Sequence, residues 1–102
     1  MTGNERIAAK NIRGAINWIV GGYYNCYQDG YDEYVPSSKQ DIIQEVYESS
    51  MTNLYGEGCE LCGRAPKEMR FAGKEFIMNY ITQKINEDED VAELAEHYKW
   101  AN

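Results

Sequence analysis

Residues 4–28, NERIAAKNIRGAINWIVGGYYNCYQ, decide the fold class of this chain. Ile12, Ile16, Ile19, Tyr23 and Cys26 recur at intervals of three and four, with Ala8 and Ala15 beside them. That spacing places them on one face of an α-helix and not on alternate faces of a strand. Gly21-Gly22 interrupts the pattern and predicts a kink or a close helix crossing. The Tyr23–Tyr27 stretch also admits an extended reading.

The same period recurs downstream. After the Asp29-Gly30 turn and Val35-Pro36, Ser37 or Ser38 caps a second helix that buries Ile43, Val46, Tyr47, Ser50 and Leu54. Pro66 suits the first turn of a third, with Met69, Ala72, Phe76, Ile77, Tyr80 and Ile81 as its apolar stripe. The acidic run Glu87, Asp88, Glu89, Asp90 favours the start of a fourth, whose inner face is Val91, Leu94, Ala95 and Tyr98. No strand alternation competes. The expectation is one all-α domain over residues 1–102, a bundle of about four helices.

The thiols add a second expectation. Cys59-Glu60-Leu61-Cys62 lies between Gly58 and Gly63, a hook that lets two thiolates meet one ion. The other good ligands are Cys26 and His97, the sole remaining cysteine and the sole histidine. A Cys26, Cys59, Cys62, His97 set would be a closed zinc site tying both ends of the chain to its middle, a structural metal that restricts the unfolded chain. The competing readings are a small buried hydrophobe at Cys26 and a surface residue at His97. A dithiol redox pair would require the hook to follow a strand in a βαβ unit, which the sequence lacks. The His-x-Glu and Pro-Cys-x-x-Cys elements of a zinc deaminase are also missing. Nothing here reads as an enzyme.

Three cysteines suit a reduced compartment better than a disulfide framework, so a cytoplasmic protein is expected. No segment reads as a membrane span or a secretory signal.

The formal net charge is −7, which weighs against direct nucleic-acid or membrane-surface binding and favours a basic partner. The acids are clustered. Asp29, Asp32 and Glu33 surround Tyr31 and Tyr34, and Glu87, Asp88, Glu89 and Asp90 form a second block. A solvated face is the plain reading of such clusters. Nine tyrosines, five of them between residues 23 and 34, favour a protein-binding surface instead. Some must still be core, with Tyr23 and Tyr27 the candidates. Lys67, Arg70 and Lys74 fall on one face of the expected third helix, where they would contact phosphates or pair with Glu68, Glu75 and the acidic blocks.

A small, acidic, tyrosine-rich single domain without catalytic residues resembles the anti-defence proteins of phages and mobile elements. The closest type is the anti-CRISPR proteins that inhibit Cas9, some of which contain zinc. The resemblance covers the whole chain in type and rests on no shared motif. It implies direct binding to Cas9 that blocks loading or recognition of target DNA. The alternative is a small zinc-binding adaptor or regulatory module with another protein partner.

Overall fold

A computed structural model describes residues 1–52 and 66–101. Among these residues there are five α-helices and no strand: α1 (Gly3–Asp29), α2 (Lys39–Met51), α3 (Lys67–Ala72), α4 (Lys74–Glu87) and α5 (Glu89–Tyr98). A short 3-10 turn, Asp32–Tyr34, follows α1. The all-α expectation is met. The Cys59/Cys62 hook and Leu54 lie outside the described residues.

The spine is α1. Its start is fixed by a capping box: the Thr2 hydroxyl accepts from the Glu5 N–H at 3.1 Å, and the Glu5 carboxylate accepts from the Thr2 N–H at 2.8 Å. Its end is fixed by Gly30, which takes the left-handed conformation (φ 83°). The Gly30 N–H then donates to the Tyr27 carbonyl and the Tyr31 N–H to that of Cys26. Between the caps, Ala8, Ala9, Ile12, Ala15, Ile16, Ile19 and Val20 are buried. The helix is unbroken through Gly21-Gly22. A Cβ at either position would meet nothing within 4 Å, so the expected close crossing is not there.

Helix α2 begins where the sequence indicated, with the Ser38 hydroxyl accepting from the Asp41 N–H at 3.2 Å. It buries Ile42, Ile43, Val46 and Ser50. The buried Asn11 amide donates to the Ser50 carbonyl at 3.2 Å, while the Tyr23 hydroxyl donates to Glu45. Early α1 thus meets late α2, and the two helices are antiparallel.

The third expected helix is two helices. Gly73, with φ 89° and ψ 153°, breaks it, and its carbonyl accepts from the Ile77 N–H to open α4. That backbone region is essentially closed to residues with a Cβ. The periodicity of Met69, Ala72 and Phe76 hid the break because both halves turn an apolar side inward. The break also dissolves the proposed basic face: Lys67 lies over the Phe71 ring within α3, whereas Lys74 lies over Tyr47 of α2. No ion pair joins these cations to Glu68, Glu75 or the acidic blocks among the described residues.

Helix α5 is capped by Asp88, whose carboxylate accepts from the Val91 N–H at 3.0 Å. Beyond it, Lys99 takes a left-handed turn (φ 56°) and the Trp100 N–H returns to the Ala95 carbonyl. Trp100 is buried and stacks on Tyr98, a core residue the periodicity did not flag because it follows the helix.

The glycines are therefore unequal. Gly73→Ala is expected to lower stability by about 1–3 kcal/mol in a denaturant melt. Gly21→Ala and Gly22→Ala, in open helical positions, are each expected to raise it by up to about 1 kcal/mol.

Candidate functional site

Three contacts set the direction of α5. Asp88 lines a cleft with Ile16 and Asn17, Tyr24 donates to Glu93 at 3.0 Å, and the Tyr27 and His97 rings lie 4.8 Å apart. The numbers rise together along both helices, so α5 runs parallel to α1. The two acidic blocks, separate in the sequence, therefore sit at opposite ends of the α1–α5 seam. Glu89, Asp90, Glu93 and Glu96, all exposed on α5, make the line of charge between them. The candidate site left out Glu93 and Glu96, which are adjacent to the loop only through this packing.

The loop is tied to the seam by tyrosine. The Tyr98 hydroxyl donates to Asp32 at 2.6 Å, fixing the 3-10 turn against the end of α5. Tyr31 and Tyr34 remain on the outside, 53% and 64% exposed, with their rings 6.2 Å apart. Tyr23, Tyr24 and Tyr27 are half-buried and pack against the core. Tyr23 and Tyr27 thus line the core without entering it.

Three phenols in this region donate to carboxylates: Tyr23 to Glu45, Tyr24 to Glu93 and Tyr98 to Asp32. Each phenol is held in its neutral form. Tyr98 is pushed up to about 12, first by the hydrogen bond to Asp32 and then by desolvation. Tyr23 is raised by burial and then by Glu45, Tyr24 chiefly by its hydrogen bond to Glu93, and Tyr27 chiefly by the nearby Glu93 carboxylate. Each bond uses a lone pair of its carboxylate. Asp90 is raised by desolvation and then by repulsion from Asp88, Glu93 and Glu89. Like charge is crowded along α5.

That charge is not neutralised by any ion pair among the described residues. The one ion pair among the described residues is Lys84–Glu87 at 3.5 Å, three residues apart on α4. Asp29, Asp32, Glu33, Asp88, Glu89, Asp90 and Glu93 have no cationic partner among them. The arrangement provides an anionic strip with two protruding phenols.

The structure also brings Cys26 and His97 to one end. Cys26 is half-buried in the last turn of α1, and the exposed His97 ring sits between Tyr27 and Tyr98 near the end of α5. Among the described residues no group of three or more His, Cys, Asp or Glu side chains is placed to hold a metal.

No family profile, curated protein or solved structure matches this chain.

The tyrosine–carboxylate bonds make a pH signature. A phenol whose folded pKa is raised stabilises the fold fully below its ordinary pKa, about 10, and loses that contribution as pH rises through the folded value. For Tyr98 the window is therefore from about 10 to about 12. A tyrosinate absorbance titration is expected to gain one equivalent near pH 10 in Asp32→Ala. An unchanged curve would remove the Tyr98–Asp32 bond from the account.

Proposed function

We propose that this chain inhibits a nucleic-acid-targeting system by binding a basic groove of one of its proteins, with guide-loaded Cas9 as the specific candidate. The observation that carries the proposal is the uncompensated acidic strip on the α1–α5 seam, ending in Tyr31 and Tyr34. Glu89, Glu93 and Glu96 are four and three residues apart, so their carboxylates recur every 4.5–6 Å or so along α5. Phosphates along a nucleic-acid strand recur about every 3.4 Å, so the two charge lines are of the same order. A groove built to accept phosphates would be attracted to such a strip, and opposite potentials would speed and orient the encounter. Tyr31 and Tyr34 would supply the apolar anchoring area that charge alone does not.

A zinc ion held by Cys26, Cys59, Cys62 and His97 belongs to the proposal as a scaffold element, bracing the end of the seam from which the tyrosine loop projects. It has no part in the inhibition itself.

Binding to guide-loaded Cas9 by pull-down, followed by a DNA-cleavage assay, tests the reading, with zinc content measured on the same preparation. Inhibition is expected to fall about tenfold or more in the triple variant Glu33→Lys, Glu89→Lys, Asp90→Lys. These side chains stand outside the tyrosine–carboxylate bonds, so the fold is expected to persist. Absence of binding together with undiminished cleavage would refute the Cas9 assignment.

A further inference from the structure

A second site lies where α4 crosses α1, next to a cleft that Arg13 and Lys84 share with Glu87 and Asp88. An open cleft of about 460 Å³ there is lined by Arg13, Phe76, Asn79, Tyr80, Gln83 and Lys84. Its charged lining is cationic and contains no carboxylate, in a chain whose net charge is −7. Arg13 donates to the Tyr80 hydroxyl at 2.7 Å, which fixes one guanidinium nitrogen and leaves its other donors to point at a ligand. Lys84 lies over the Tyr80 ring, its ammonium 5.5 Å from the centroid. The two cations thus converge on one phenol.

The rest of the lining suits a flat heteroaromatic ring. Phe76 and Tyr80, one helical turn apart, stack nearly parallel at 18° with centroids 5.9 Å apart. Asn79 and Gln83 are exposed on the same side of α4, where carboxamides can read ring nitrogens and carbonyls. Cations that recognise an anion, beside aromatic area and amides, are the elements of a small-molecule site. We infer that this cleft binds a nucleoside monophosphate, its phosphate between Arg13 and Lys84 and its base against Phe76 with Asn79 or Gln83 at the edge.

A longer strand fits less well. It would have to extend over a surface whose overall charge repels phosphate. A single phosphate is satisfied inside the cleft. Glu87 is the competitor: it holds Lys84 at 3.5 Å from the neighbouring cleft and accepts from the Gln83 amide at 3.2 Å. Both contacts are solvent-exposed, and a pair of that kind is weak enough for an incoming phosphate to displace.

Calorimetric titration of the full chain with adenosine 5′-monophosphate tests the inference, with adenosine, inorganic phosphate and a single-stranded oligonucleotide as comparison ligands. The monophosphate is expected to bind with a sub-millimolar Kd and both fragments at least tenfold more weakly. Lys84→Gln and Arg13→Gln are each expected to weaken it about tenfold, the loss of one charge-assisted contact, and Glu87→Gln is expected to tighten it. The half-buried Lys84, which makes no buried hydrogen bond, keeps the test decisive through Lys84→Gln if Arg13→Gln alters the melting temperature. No saturable binding of the monophosphate, equal binding of adenosine, no effect of Lys84→Gln, or tighter binding of the oligonucleotide would each overturn it.

Discussion

The buried stripe of α1, from Ala8 to Val20, is the constraint on which everything else rests. Each of the other four helices packs on this one rod. Small residues at Ala8, Ala9 and Ala15 let neighbours come close, and Ile12, Ile16 and Ile19 fill the space between them. Because α1 is continuous from Thr2 to Gly30, it acts as a ruler. Helix α2 is referenced to it antiparallel through Asn11 and Ser50, and α5 parallel through Tyr24 with Glu93 and Tyr27 with His97. The acidic strip exists because of that second choice of direction. Were α5 antiparallel, Glu89 and Asp90 would face the tyrosine loop directly and His97 would be remote from Cys26.

The same packing concentrates charge that the fold itself does not use. Glu89 and Asp90 gain from the dipole at the start of α5, but Glu96 lies in its last turn, where negative charge is unfavourable. Asp90 is pushed upward by its neighbours, the mark of like charges held close. The phenols of Tyr24 and Tyr98 partly offset this by donating to Glu93 and Asp32 without neutralising them. This organised, locally unfavourable face is where the proposed basic partner would dock.

Much of this was legible in the sequence. The helix class, a cap at Ser37 or Ser38, an acidic start to α5 and most of the buried residues of α1, α2 and α5 follow from period and capping chemistry, which are local, although Val20 and Ile42 were not among those expected. The break at Gly73 was not legible, because a glycine between two apolar stripes of matching phase looks like a weak helical residue. Trp100 escaped because it is buried by a turn beyond the last helix, outside any periodic pattern. The tyrosine loop and the acids of α5 were recognised as separate clusters. Their connection depends on helix direction, a long-range property that no window of sequence encodes. For the same reason Glu93 carried no signal until Tyr24 was seen to reach it. The cleft of Arg13 and Lys84 joins residues seventy-one positions apart and was invisible in the chain order.

The central claim is that the α1–α5 seam is the working surface. The most direct measurement is amide NMR of the labelled chain titrated with guide-loaded Cas9. Signal loss is predicted along residues 29–34 and 88–97, with α3 unaffected. Loss centred on Lys67, Arg70 and Phe71, with the seam unchanged, would contradict it.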